Sequence, residues 1–378
     1  MEIKDHSTYR LAPNSKEDSL MPITMSNLMT STDQLEDVFQ RAKEFKFGEL
    51  HFKIDPETNL FAIVAIHSTK LGPAIGGCRC ISYPSTQAAI LDAIRLAMMM
   101  SYKAAICNLP HGGAKSVIIR PAEIKDRKAY FQSFGEFVNQ LNGRYVAAVD
   151  SGTDVTDMDF ISDVSSYVTC TSRDGCGDPS PFTAIGVKRG IEAAVKFKLG
   201  QSDLRGLHVA IQGAGHVGYY LAKELTEAGV RLTMTDVNQA NLARCVEEFG
   251  VATVQPDEIY HVECDVFSPC ALGASINSQT IKELKTKIVA GSANNQLKDL
   301  IHDDQLLFER GILYAPDFLI NAGGLIYAAC AYDHGNLPQA EQQIFNIFEA
   351  SYNLFERAKR ENKPTNYIAQ IIAEEKLY

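Results

Sequence analysis

The chain has no CxxC pair and no Cys/His cluster at zinc-ligand spacing, although it contains nine cysteines. Those thiols, at 78, 80, 107, 170, 176, 245, 264, 270 and 330, are scattered and odd in number. The pattern argues against a metal module or a disulfide framework and reads as buried free thiols in a reducing compartment. Basic residues are in deficit: 36 Lys and Arg stand against 46 Asp and Glu, a formal net charge of -10. A nucleic-acid footprint needs a basic patch, so no nucleic-acid partner is expected. No apolar run reaches membrane-spanning length, and the opening residues, Met1 to Thr8, lack the apolar core of a secretory signal. Internal repeats and low-complexity tracts are missing too. These absences leave a cytoplasmic protein without a membrane partner as the expectation. What is present fits that: 378 residues, 46% hydrophobic and 22% charged, predict two globular domains.

Residues 1 to about 33 are polar and read as a loosely docked arm, and Asp33–Glu44 as a short helix. Strand patterns follow at Leu50–Ile54 and Leu60–Ile66, joined by a hairpin turn at Asp55–Asn59. Apolar residues at helical spacing predict a helix over Thr86–Met100. Ser116–Ile119 reads as a buried strand, Arg127–Leu141 as a helix and Tyr145–Val149 as a strand. This alternation implies an α/β domain over residues 1–170. The Gly/Pro/Ser-rich stretch Ser172–Pro181 is the best linker. A second α/β domain is expected over 183–340, beginning with a helix near Thr183–Phe197. Amphipathic helices at Glu341–Arg360 and Tyr367–Glu375 close the chain. A cleft should lie between the two domains.

The second domain carries an ordered motif. Leu207–Ile211 is a β-branched strand, and Gly213-Ala214-Gly215-His216-Val217-Gly218 follows at once. A helix pattern to Glu227 and a strand, Val230–Thr235, end at Asp236. Gly213 suits the tight turn, Gly215 lets backbone approach a pyrophosphate, and Gly218 lets helix pack on strand. The helix N-terminus offers free N–H groups to phosphate, and Asp236 stands where a carboxylate accepts ribose hydroxyls. A glycine cluster alone is weak evidence, but strand, turn, helix, strand and acid in this order predict a Rossmann unit. Asp236 would repel a 2′-phosphate and Val237 and Asn238 are not basic, which favours NAD over NADP. Arg231 and Arg244 keep that choice open.

Three features mark the first domain. Gly76 and Gly77, in Gly72–Arg79, suggest close backbone approach to a ligand, and an ordinary turn explains them equally well. Lys103 and Lys115 lie among small and apolar residues, Lys115 between a glycine turn and a strand. Burial beside a like charge depresses a lysine and makes it a usable base; the alternative is that either points to solvent. Asp150 falls at the carboxyl end of a strand, where parallel sheets bind ligands. Its alternative role is a helix cap, which Asp154 or Asp157 fits better.

Taken together these motifs are familiar. From about residue 35 to the end, the chain resembles the amino-acid dehydrogenases acting on glutamate, leucine, phenylalanine and valine, and within them the leucine-acting branch. The likeness rests on Leu71–Gly77, Tyr102-Lys103, Gly112–Lys115, Asp150, Pro179–Ala184, the Rossmann turn, Ala290–Asn295 and Asn321–Gly324. The resemblance implies NAD-dependent, reversible oxidative deamination of an amino acid to a 2-oxo acid and ammonia, without a metal, by a homo-oligomer. It implies that Lys103 holds the substrate carboxylate, Lys115 is the catalytic lysine and Asp150 shuttles protons. Gly76 and Gly77 would line the substrate site through their backbone. Thr183 and Asn295 would sit near the nicotinamide end, with Asn294 beside the cofactor and Asn295 also reaching the substrate. The C-terminal helices, 341–378, would pack back on the first domain.

Substrate choice follows one step further. Glutamate-acting members have a lysine at the position of Ile75 and an assisting serine at that of Ala328. A distal carboxylate buried against Ile75, Ala148, Leu325 and Ala328 would be unpaired, at a cost of several kcal/mol. The expected substrate is therefore an apolar L-amino acid of the leucine, valine or isoleucine type. Leu325 with the small Ala328 departs from the paired valines of the leucine branch, so phenylalanine or another aromatic stays open. A catalytically idle sensor that kept the fold is the remaining alternative, and both lysines with Asp150 argue against it.

Overall fold

The computed structural model describes residues 39, 40, 43, 46, 48–271 and 273–378. The N-terminal arm and most of the helix expected at 33–44 lie outside those residues.

The first sheet has the order β1-β2-β4-β3-β5, with β1 Glu49–Asp55, β2 Leu60–Ser68, β3 Ala74–Ile81, β4 Gly112–Ile119 and β5 Tyr145–Val149. β2 runs antiparallel to β1 and β4, and β3 lies parallel to β4 and β5. β2 is apolar almost throughout because both its faces are covered: Leu60 and Ala62–Ile66 are buried. Helix α1, Thr86–Ile106, is capped by the Ser85 side chain, which accepts from Ala88 N. Its Ala89, Ala93 and Ala97 press on Ile63, Ala65 and Val117 of the sheet. Small residues at that spacing let helix and sheet approach closely. Helix α2, Arg127–Gln140, covers the other face through Tyr130, Phe131 and Phe134, all fully buried.

Two expectations change here. Gly72–Arg79 left a ligand-approaching segment and an ordinary turn equally open, yet residues 74–81 form the interior strand β3, between β4 and β5. Its Gly, Ala and Cys residues carry little strand propensity, and tertiary pairing on both sides overrides it. Likewise β4 starts at Gly112, so Lys115 lies within the strand rather than between a turn and one.

The chain leaves β5 through helix α3, Val155–Ser162, which a reciprocal Asp154–Asp157 cap starts. Helix α4, Ser180–Leu199, follows the Ser172–Pro181 stretch. Then comes the second sheet, ordered β11-β10-β9-β6-β7-β8 and all parallel, with β6 His208–Gln212, β7 Arg231–Thr235, β8 Ala252–Thr253, β9 Val266–Pro269, β10 Ile288–Val289 and β11 Leu313–Tyr314. This is the doubly wound order of dinucleotide-binding sheets, and its crevice lies where the order reverses beside β6. Helix α5, His216–Glu227, and helix α6, Gln239–Phe249, complete the unit around β6 and β7. The fold is thus two α/β domains, the second of Rossmann type.

After β11, helix α7 is taken as Gly323–Tyr332, α8 as Leu337–Phe345, α9 as Ile347–Glu361 and α10 as Thr365–Leu377. The expected helix 341–360 is two, broken at Asn346. Packing of the C-terminal helices is narrower than expected. α9 lies on α4, whereas α10 reaches α1, where Tyr102 donates to Glu374 at 2.6 Å and Lys376 to Ala105 O at 3.0 Å. Among the described residues no helix is long and apolar enough to cross a membrane.

Candidate active site

A cleft of about 570 Å³ opens between the sheets. β3 contributes Ile75, Gly76 and Gly77 to its wall; α1 contributes Lys103, β4 Lys115, and the end of β5 Ala148 and Asp150. The opposite side holds Thr183 of α4, His216 and Val217 at the start of α5, and Asn294. Leu325 and Ala328 of α7 close the apolar end.

Both lysines are buried, 8% exposed for Lys103 and 6% for Lys115. Neither points to solvent. Lys115 Nζ donates to Asp150 Oδ2 in a direct ion pair. The other Asp150 oxygen faces Arg79 Nη2 at 3.6 Å, and Arg79 is held by Asp92 at 3.0 Å. Burial first, then the positive charges of Arg79 and Lys103, hold Lys115 well below the usual lysine range. Lys103 is pushed down to about 8 by burial, against an opposing pull from the buried Asp317. It donates to Asn294 Oδ1 at 3.3 Å, and Asn321 Nδ2 donates to the same oxygen at 3.0 Å. Two depressed lysines and a carboxylate on one wall can bind an anion and exchange a proton near neutral pH.

The paired glycines owe their identity to the protein's own packing. A Cβ on Gly76 would stand 1.8 Å from Ala114 O, and one on Gly77 would stand 2.7 Å from Asp150 Oδ2. They also line the cleft, so backbone is what a ligand meets there.

At the Rossmann turn, Gly213 has φ +109° and a Cβ there would meet backbone of Cys270 and Ala271. A Cβ on Gly218 would fall 2.1 Å from Gly213 O, which fits its close-packing role. Gly215 differs: a Cβ there meets nothing within 4 Å among the described residues. Gly215 is also the N-cap of α5 and supplies no side-chain cap. Ala214 N donates to Asp236 Oδ2, so the carboxylate sits directly beside the turn. An open backbone cradle, an uncapped helix start and an adjacent carboxylate fit a dinucleotide.

Asn295 departs from expectation. It has φ +54°, its carbonyl accepts from Ala274 N at 2.7 Å, and its neighbour Asn294 is the one that lines the cleft and meets Lys103.

Residues 48–167 match the family model described as Glu/Leu/Phe/Val dehydrogenase, dimerisation domain, and residues 232–372 match that of Glutamate/Leucine/Phenylalanine/Valine dehydrogenase. Leucine dehydrogenase of Geobacillus stearothermophilus is 46% identical over 343 residues, 90% of this chain and 93% of that protein. The chain belongs to the glutamate/leucine/phenylalanine/valine dehydrogenase family. The crystal structure of L-tryptophan dehydrogenase from Nostoc punctiforme, at 38% identity, superposes with a TM-score of 0.76 over 90% of this chain and 98% of that one. A hetero-hexameric glutamate dehydrogenase from Thermus thermophilus shares the fold, with a TM-score of 0.74 at 20% identity over 95% of this chain and 97% of that one. As a member of this family the protein is an amino-acid dehydrogenase using a nicotinamide cofactor.

In this dehydrogenase, sequence reasoning missed Arg79, which sits two residues beyond Gly77. A strand's two-residue period puts both on one face, so Arg79 was findable once β3 was recognised as a strand. Asn321 was part of a quoted motif, but its anchoring of Asn294 needed the fold. The long-range placement of Asp317 under Lys103 had no sequence signal.

Proposed function

We propose that this dehydrogenase catalyses the reversible NAD-dependent oxidative deamination of an apolar L-amino acid to its 2-oxo acid and ammonia. The observation that carries the reading is the cleft wall itself. Lys103, Lys115 and Asp150 converge there, while Ile75, Ala148, Leu325 and Ala328 supply the apolar end without a further cation.

Lys103 binds the substrate carboxylate, and pairing with that anion restores the charge that burial opposes. Lys115, whose proton is made easier to give up by burial, takes up and returns a proton at the reacting carbon's oxygen as water adds to the imine. Its cation then stabilises the developing oxyanion. Asp150 moves the proton at the amino group and holds Lys115 in place. The Gly213–Gly218 turn and the α5 start would hold the pyrophosphate, Asp236 the ribose, and Thr183 and Asn294 the nicotinamide end. A nicotinamide held there would supply the hydride acceptor for the substrate Cα.

NAD is favoured over NADP because Asp236 would face a 2′-phosphate, and Val237, 86% exposed, offers it no cation. Substrates of the leucine, valine and isoleucine type fit the four apolar residues best. A bulky aromatic is the second reading, supported by the small Ala328 and by the likeness to L-tryptophan dehydrogenase. We further propose a cytoplasmic homo-oligomer with a catalytic domain over 1–170 and a cofactor domain over 183–340. Exposed Phe52 and Ile54 on the edge strand β1, 56% and 65% exposed, support assembly.

The test is NAD and NADP reduction at alkaline pH with L-leucine, valine, isoleucine, phenylalanine, tryptophan and glutamate. Turnover of branched-chain substrates with NAD is expected. No turnover with any would sink the reading, and turnover of glutamate would overturn the argument from the apolar pocket.

A further inference from the structure

Two thiols stand beside the cleft without a part in the reaction above. Cys170 lines the cleft, and Cys176 Sγ donates to Cys170 Sγ across 3.4 Å. Both are buried in one cluster with Ala148 and Ala328, the residues that wall the apolar end. The loop between them is built to hold them together. Asp174 Oδ1 accepts from both Thr171 N and Cys176 N, its Oδ2 accepts from Thr169 Oγ1, and Gly177 N closes the loop on Thr171 O at 3.3 Å. Cys170 itself takes the left-handed conformation, φ +61°, and Gly175 and Gly177, also at positive φ, flank Cys176. Their backbone freedom lets the loop fold back so that the two sulfurs meet.

We propose that Cys170 and Cys176 form a peroxide-oxidised dithiol site whose disulfide reshapes the substrate pocket and slows deamination. Cys170 is the thiol attacked, because it borders the cleft through which a small hydroperoxide enters. Its sulfur breaks the O–O bond, becoming a sulfenic acid and releasing water. The Cys176 sulfur, already in contact, then displaces the sulfenic oxygen as a second water and the S–S bond forms. Two thiols thus lose two electrons and two protons, and the peroxide takes them. Forming the bond closes the 3.4 Å between the sulfurs to the roughly 2.05 Å of a disulfide. That movement draws Cys170 off the pocket wall and pulls on Gly175, whose carbonyl accepts from Tyr327 OH at 3.1 Å. Tyr327 stacks on Phe182 with ring centroids 3.7 Å apart, next to the cleft residue Thr183.

The sequence supplies a direct assay, since Arg173 lies between the two cysteines. Trypsin separates Tyr145–Arg173 from Asp174–Lys188, each with one cysteine, unless a disulfide joins them. The full chain is treated with hydrogen peroxide, alkylated and digested without reductant. The expected result is the joined peptide pair, an activity loss of about tenfold to a hundredfold, as for a small displacement of site geometry, and recovery of both with dithiothreitol. Cys176→Ser should keep its basal rate and arrest Cys170 as a sulfenic acid that dimedone captures. Unlinked peptides with both thiols alkylated would overturn the proposal. So would a linked pair that leaves the rate unchanged. Peptide linkage is read by mass alone, so it stands or falls independently of the substrate assignment.

Discussion

Gly76 and Gly77 on one side of the site and Gly215 on the other are glycine for different reasons. At Gly76 and Gly77 the protein itself occupies the space a side chain would need, with Ala114 O and the Asp150 carboxylate against the backbone. At Gly215 nothing in the described chain occupies it. In sequence the two clusters look alike, and both invite the reading of close approach to a ligand. The structure separates Gly215 from the rest: Gly76 and Gly77, like Gly213 and Gly218, are glycine because the protein fills the space beside them, whereas Gly215 leaves a cradle open. A glycine's meaning therefore depends on what stands where its Cβ would be.

The sharpest way to probe the substrate wall is to remove the base proposed for it. Lys115→Ala should cost about 10²–10⁴-fold in kcat, the usual worth of a general acid–base group, with nicotinamide binding measured by fluorescence little changed. An unchanged rate would refute the role given to Lys115. Next in size is the wall's packing. Gly76→Ala should lower stability by about 3 kcal/mol or more, since a backbone carbonyl has to move, and calorimetry should register a large fall in Tm. The matching change across the cleft, Gly215→Val, should leave Tm nearly unaltered and raise the KM for the dinucleotide about tenfold, equal to about 1.4 kcal/mol of binding. Should Gly215→Val instead unfold the protein while Gly76→Ala is tolerated, the contrast between the clusters fails.

The smallest effect concerns pH. Burial lowers Lys103 from the usual lysine range to about 8. Its charged form is disfavoured in the folded protein, so in this window the unfolded chain binds more protons. Stability linked to Lys103 should therefore rise with pH from about 8 towards the unfolded lysine value. Affinity for a substrate carboxylate should run the other way, weakening as pH rises through the same value. Denaturant unfolding and inhibition by an apolar carboxylate, each measured across pH 7 to 10 at about unit intervals, separate the two trends. Lys103→Met should abolish both.

Much of this site was legible because its elements are local. The Rossmann turn shows as strand, glycines, helix and acid within one short stretch, and local spacing is what a sequence displays. The lysines stood out as charges in apolar surroundings, because burying an unpaired charge is costly enough to need a purpose. β3 was not legible as a strand. Its residues are small for reasons supplied by β4, β5 and Asp150, all distant in sequence except through the sheet. Arg79 was hidden with it. Asn294 and Asn295 could not be told apart either, since adjacent positions in a loop exchange roles with one backbone rotation.

By itself the sequence determined the periodicity of the elements and the dinucleotide motif, because each depends on neighbours along the chain; Ile75, Ala148, Leu325 and Ala328, far apart in the sequence, were grouped only by the family resemblance. The tertiary structure alone decided which charges meet. Lys115 lies on β4 and Asp150 just beyond β5, Lys103 and Asp317 are far apart in the chain, and Cys170 borders the cleft only once it packs with Ala148 and Ala328. Electrostatics and burial act through space, so these pairings, and the burial that depresses the lysines, exist only once the chain has folded.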